Sequence, residues 1–201
     1  MASAFRVTLD GRGYTSKPDK TEVGRITVRM KQNGSTELDA AQLLDAIRHG
    51  RTWCGGCFAP SAGDWGEFQS MQICAVDIDN STKIIGADGK PVKGADGHIL
   101  KRPLFPGEAG YLDRAGALAR CEQLGLQPLA LYDTMSCKDW WPKFRIMFDL
   151  GEAVCDEQAA SAIVAELVRR FPECDRGCSN LNRLFFASNG TVYEIWRGER
   201  P

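Results

Sequence analysis

Histidine is nearly absent from this chain: His49 and His98 are the only two in 201 residues. No His-x-His pair exists, which argues against the nicking replication initiators, whose chemistry needs a metal-binding histidine pair and a nucleophilic tyrosine. No apolar run approaches the ~18 residues of a membrane span. The start, MASAFRVTLDGRGY, lacks the apolar core of a signal peptide, so a soluble, intracellular protein is expected. No GxxxxGKS/T sequence occurs, which excludes a nucleoside-triphosphatase P-loop in these residues. Neither charge is in surplus: 25 Lys and Arg against 26 Asp and Glu leave a formal net charge of −1. This argues against tight, non-specific coating of nucleic acid, although a local basic patch is enough to neutralise a few phosphates.

Cysteine, by contrast, is plentiful, at 54, 57, 74, 121, 137, 155, 174 and 178. Without a secretory signal these read as reduced thiols. Cys74 and Cys121 sit in apolar stretches and are expected in the core. Cys54-Gly-Gly-Cys57 has metal-ligand spacing, and Cys174 and Cys178 form a second close pair, so the four could make one tetrahedral zinc site. Their separation along the chain and the irregular second spacing favour unligated thiols. An apolar fraction of 43% supports a real core. We expect a single domain over 1–201, with 1–69 as an N-terminal α/β portion.

Hydrophobic periodicity places the elements. FRVTL (5–9) and GRITVRMK (24–31) read as two β-like runs. Asp39 opens a helix carrying Ala40, Leu43, Leu44 and Ile47, stopped by Gly50. MQICAVDID (71–79) is apolar on both faces and suits a central strand covered on two sides. In 81–110, Gly86-Ala-Asp-Gly89 is echoed by Gly94-Ala-Asp-Gly97, which predicts an inserted, exposed hairpin. Asp113 caps a helix with Leu118, Cys121 and Leu124. PLALYDTMS (128–136) and KFRIMFDL (143–150) follow as strands. The latter sends Phe144, Ile146, Phe148 and Leu150 one way, and Lys143, Arg145 and Met147 the other. A long amphipathic helix runs from about Asp156 to Phe171. RLFFAS (183–188) and VYEIW (192–196), around Asn189-Gly190, read as a closing hairpin. The fold class is α+β, and the strand-helix-strand-strand-helix-strand order of the second half resembles a split βαβ, RRM-like unit.

Asp77-Ile78-Asp79 is the most informative triplet. Residues two apart on a strand share a face, so both carboxylates project to one side, ~7 Å apart along the backbone. Two such acids repel at the end of an apolar run, and a bound Mg²⁺ or Mn²⁺ relieves that cost. The bland alternative is a solvated strand end. Lys143 and Arg145 share a polar face, whose plain reading is solvent exposure. Asp175 opens the polar stretch leading to Arg183, itself equally readable as a surface ion pair. Acids for a metal together with cations for phosphates are what phosphoryl transfer needs.

CAVDIDN resembles the first metal motif of the archaeo-eukaryotic primase superfamily. LALYDTMSCKDWWPKFRIMFDL resembles the second region of its phage- and plasmid-type primase–polymerases, and ECDRGCSNLNRLFFAS the third. GRTWCGGCF is similar to the segment that precedes the first motif. The likeness spans about 48–190 and rests on motif order. It implies a sheet-lined nucleotide site with two divalent metals (Mg²⁺ or Mn²⁺) on Asp77, Asp79 and Asp175. Ser136, Lys143, Arg145 and Arg183 would contact the incoming triphosphate, with Asn180 in the same segment. Implied partners are (deoxy)nucleoside triphosphates, a single-stranded DNA template and a helicase domain or subunit, in the cytoplasm of a bacterial or phage-infected cell. Many relatives place a histidine just after the motif-two serine. Here Cys137-Lys138 stands there, and Lys138 could supply the positive charge as a point charge of different reach. The competing expectation is a replication-accessory domain that keeps the fold and binds nucleic acid with weakened or lost catalysis.

Overall fold

The computed structural model describes residues 4–188 and 191–195. In chain order the N-terminal portion comprises β1 (Phe5–Gly13), α1 (Lys20–Asn33), β2 (Ser35–Leu38), α2 (Ala40–Arg48), β3 (Arg51–Cys54) and β4 (Gly56–Phe58). There follow β5 (Phe68–Ile78), β6 (Ser81–Lys83), β7 (Lys101–Pro103), α3 (Arg114–Gln123), β8 (Pro128–Asp133), β9 (Phe144–Val154), α4 (Glu157–Arg170) and β10 (Val192–Glu194). Antiparallel pairing builds a three-stranded sheet, β2-β1-β3, a five-stranded sheet, β10-β8-β9-β5-β4, and the β6-β7 ribbon. The protein is thus a mixed α+β fold with antiparallel sheets.

The five-stranded sheet is the middle layer, which is why β5 is apolar on both faces. Ile73 and Ala75, with Met147, Ala130 and Tyr132, pack against Phe5, Val7, Leu9 and Trp53 of the first sheet and Leu43, Leu44 and Ile47 of α2. Cys74, Val76 and Ile78, with Phe144, Ile146 and Phe148, pack against Ala117 and Cys121 of α3 and Ala160, Val164 and Leu167 of α4. Each large side chain so buried stabilises by about 1.5–3 kcal/mol. The helices begin where short acids cap them. Asp39 makes a reciprocal capping box with Gln42, while Asp113 and Asp156 accept from the amides of Gly116 and Ala159.

Several expectations are corrected. Residues 24–31 lie in helix α1, not in a strand. Ile26, Val28 and Met30 mimic a period of two, but the helix buries Ile26 and Met30 at a spacing of four and leaves Val28 46% exposed. Asp19, accepting from the Glu22 amide, starts that helix. RLFFAS forms no strand of its own: Phe185 makes a single antiparallel bridge to Trp53. Val192–Glu194 pairs with β8 instead. Asn189, Gly190 and Trp196 lie outside the described residues.

The order β5-α3-β8-β9-α4-β10 matches the expected succession, and β8-β9-β5 are neighbours. The last strand, however, sits beside β8, and β4 takes the edge next to β5 that a split βαβ would give it. Within 81–110, two turns repeat: Gly86 N–H donates to the Lys90 carbonyl and Gly94 N–H to that of His98. Asp88 and Asp96 accept from the amides two residues on. Among the described residues, no helix is long and apolar enough to cross a membrane.

Candidate active site

β5 and β9 run antiparallel with Asp77 opposite Arg145 and Ile78 opposite Phe144. Asp77 and Arg145 therefore lie side by side on the sheet face turned toward the first sheet. Both are buried, and Arg145 Nη2 donates to Asp77 Oδ2 at 3.1 Å. Its other terminal nitrogen donates to the Phe186 carbonyl and the Tyr132 hydroxyl, 3.3 Å away in the latter case. Trp53 Nε1 donates to the same hydroxyl. Arg145 was expected on an open face. It is only 5% exposed, because the first sheet and the 183–188 segment cover that face. Burial opposes its charge, but Asp77 and Tyr132 outweigh it and raise its pKa above the ordinary arginine value. Its Nε is buried with no hydrogen-bond partner among the described residues.

Asp79 shares the face of Asp77 but sits nearer solvent. Lys143 Nζ lies 2.8 Å from its Oδ1 and Lys101 Nζ 3.0 Å from its Oδ2, with the Ser81 hydroxyl at 2.6 Å. Burial pushes the Asp79 carboxyl up, and the hydrogen bonds from Lys143, Ser81 and Lys101 more than reverse this, holding it at about 2.

The strand end is fixed by Asn80, a buried non-glycine residue at φ 42°. Its Nδ2 donates to the carbonyls of Leu112 and Pro142, and its Oδ1 accepts from the Leu112 amide. The Trp141 indole N–H reaches the carbonyls of both Asp79 and Asn80. A left-handed backbone costs a non-glycine residue of order 1–3 kcal/mol, and here three side-chain bonds hold it. Asn80 thus ties the insertion, the approach to α3 and the β8–β9 turn to the acid-bearing strand.

Asp175 is brought in by its backbone, whose N–H donates to the Asp77 carbonyl at 2.9 Å. Arg183 returns over the turn Arg176–Ser179 to lie 2.7 Å from Asp175 Oδ2 and 3.9 Å from Asp77 Oδ2. Gly177 makes that possible: a Cβ there would stand 2.6 Å from the Arg183 guanidinium. Burial raises the Asp175 carboxyl, but the Gly177 amide and Arg183 lower it further, to a net depression.

These groups line one cavity of about 170 Å³, formed by Lys17, Asp77, Asp79, Lys101, Thr134, Met135, Ser136, Arg145, Asp175, Arg183, Leu184 and Phe186. Lys143 reaches it through Asp79. Besides Lys143, two expected residues do not line it. Lys138 is exposed on the β8–β9 turn, its ammonium over the Trp140 ring. Asn180 is the exposed residue closing the Arg176–Ser179 turn. No protein-family model, curated protein or solved structure matches this chain.

The carboxylates are the hard oxygen donors that Mg²⁺ and Mn²⁺ take. The side chains of Asp79 and Asp175 are 31% and 42% exposed, so an ion can reach them from solvent. Each acid is turned onto a cation, and among the described residues no three His, Cys, Asp or Glu side chains are gathered closely enough to hold a metal directly. The donor chemistry and placement fit a divalent ion on condition that the ion pairs exchange partners. The cysteines answer to packing. Cys54, Cys57, Cys174 and Cys178 are buried free thiols, and burial pushes Cys54 and Cys174 up to about 12. The glycines between Cys54 and Cys57 serve close backbone approach: a Cβ on Gly55 or Gly56 would collide with the carbonyl oxygen of Ile73 or Leu181. The expected core thiols Cys74 and Cys121 are buried too.

Sequence reasoning missed Lys17, Lys101 and Asn80. Lys17 lies in a turn-like Ser/Pro/Asp stretch and Lys101 in an insertion read as merely exposed, so neither carried a signal. Asn80 did carry one, as a polar residue ending an apolar strand directly behind the acids, but it read as an ordinary turn.

Proposed function

We propose that this chain is a metal-dependent nucleotidyltransferase domain of the primase–polymerase kind, taking a nucleoside triphosphate in the cavity at the end of β5. One observation carries the reading: three carboxylates and four cations, Lys17, Lys101, Arg145 and Arg183, line a single cavity. A site for a metal alone has no use for the cations, and a site for an anion alone has no use for the acids. A metal–triphosphate complex uses both. The motif order seen in the sequence supports the same reading, as does the β-α-β-β-α-β succession of the second half, whose closing strand lies at the β8 edge.

In this reading Asp77, Asp79 and Asp175 hold Mg²⁺ or Mn²⁺, which when bound neutralises the phosphates and lowers the pKa of the attacking hydroxyl. Arg183 grips phosphate oxygens with its planar fork, and Lys101 and Lys143 leave Asp79 for the phosphates. Arg145 braces Asp77, while Thr134 and Ser136 offer hydroxyls. A single-stranded template and a helicase partner belong to the same proposal.

A second reading, a nucleic-acid-binding accessory domain with weakened catalysis, draws on the existing ion pairs of all three acids and on Cys137-Lys138 standing where a histidine is common. Calorimetric titration of nucleoside triphosphate with and without Mn²⁺ tests the first. Metal-dependent binding that weakens from triphosphate to monophosphate supports it. Equal binding of all three, or none, removes it.

A further inference from the structure

The turn from Thr134 to Lys143 presents an aromatic pair outside the cavity. Trp141 is anchored, its indole N–H on the Asp79 and Asn80 carbonyls and its ring 3.8 Å from the Lys143 ammonium. Trp140, its neighbour at a centroid distance of 5.8 Å, is 57% exposed, the most exposed large apolar side chain described. Among the described residues, no core cluster includes it. The Lys138 ammonium stands 5.2 Å above its ring. The insertion that leaves the same Asn80 is net basic: over 81–110, Lys83, Lys90, Lys93, Lys101 and Arg102 stand against Asp88, Asp96 and Glu108, with Arg102 paired to Glu108 and Lys101 to Asp79.

An exposed indole costs solubility, and here it tilts against Trp141 outside the core clusters of the described residues. Its neighbour Trp141 is nonetheless pinned to the strand that carries the acids. We propose that Trp140 is a stacking platform for a base of single-stranded nucleic acid, with Lys138 swinging from the ring face to the adjoining phosphate. Every base has a π-face, so the contact tolerates any sequence, and the ammonium supplies the charge that a phosphate needs. The strand then passes from the cavity over Trp140 toward the basic insertion. This inference rests on the reading of the cavity as a nucleotidyl-transfer site for the direction of the strand, not for the contact itself.

The test is fluorescence anisotropy of a labelled oligothymidylate of about twelve nucleotides, a length within the usual ~4–16-nucleotide site of a single-strand groove. The parent, Trp140→Ala, Trp140→Phe and Lys138→Ala proteins are compared, with triphosphate titration of each alongside. Trp140→Ala is expected to weaken the oligonucleotide about five- to a hundredfold, with triphosphate binding unchanged and Trp140→Phe recovering most of the loss. Lys138→Ala is expected to flatten the slope of log affinity against log salt by about 0.7. Parent-like affinity in Trp140→Ala, no recovery in Trp140→Phe, or no oligonucleotide binding by the parent overturns the proposal. A parent that binds oligonucleotide through Trp140 but takes no triphosphate removes the cavity reading and leaves this one standing.

Discussion

Replacing Lys143 by methionine should strengthen metal binding and weaken nucleotide binding at once. The Lys143 ammonium lies 2.8 Å from Asp79 Oδ1 and is only 12% exposed, so it competes directly with any cation for that carboxylate. At an effective dielectric constant of about 20, such a pair attracts by about 6 kcal/mol before hydration is counted. Hydration of ion and ammonium offsets most of this, and net couplings between neighbouring ligands settle at about 1–3 kcal/mol. Lys143→Met keeps the apolar stem against Trp141 and removes only the charge. Without nucleotide, Mn²⁺ should then bind about 5- to 100-fold more tightly, as Lys101 alone remains on Asp79. With Mn²⁺ saturating, triphosphate should bind about ten- to a hundredfold more weakly, the loss of one charged phosphate contact. Calorimetry at low ionic strength reads both affinities on one protein. A variant that stays folded but binds Mn²⁺ no better than the parent refutes the competition and leaves Lys143 a structural partner of Asp79 and Trp141.

Two further outcomes follow from the same ion pairs. Asp77→Ala strands the Arg145 guanidinium in the interior and should cost about 3–5 kcal/mol in denaturant unfolding, whereas Asp77→Asn keeps an acceptor for Arg145 and should cost markedly less; equal losses would mean the pair carries little. Asp79, held at about 2 against an ordinary 3.8, contributes stability present above pH ~4 and lost as pH falls toward ~2, at most about 2 kcal/mol because the side chain is partly exposed. Asp79→Asn should flatten that acid limb of the stability curve, and an unchanged limb would assign it to other carboxylates.

Much of the sheet was legible because period-two patterning survives where both faces are covered or cleanly alternate. β5, β8 and β9 announce themselves, and strand parity puts Asp77 and Asp79 on one face. Where a different element produced the same pattern, the reading failed: Ile26, Val28 and Met30 alternate like a strand, although a helix buries two and exposes the third. Non-local choices were not legible. Nothing in VYE says that it pairs with β8 rather than with RLFFAS, and nothing in KFRIMFDL says that a second sheet covers Arg145. Asp77 and Asp79 were readable from spacing, yet one of their counter-charges, Lys101, came from an insertion where nothing marked it. Lys138 was placed by analogy of position, and the turn carries it to Trp140 instead.

The most direct measurement is incorporation of labelled deoxynucleotide on a primed single-stranded template, with and without Mn²⁺, by the parent and the Asp77→Asn, Asp79→Asn and Arg183→Ala proteins, each checked for folding. Metal-dependent extension by the parent is expected, abolished in both aspartate variants and reduced about ten- to a hundredfold in Arg183→Ala. A folded parent that extends nothing under any metal, or aspartate variants that extend as well as the parent, would contradict the proposed function.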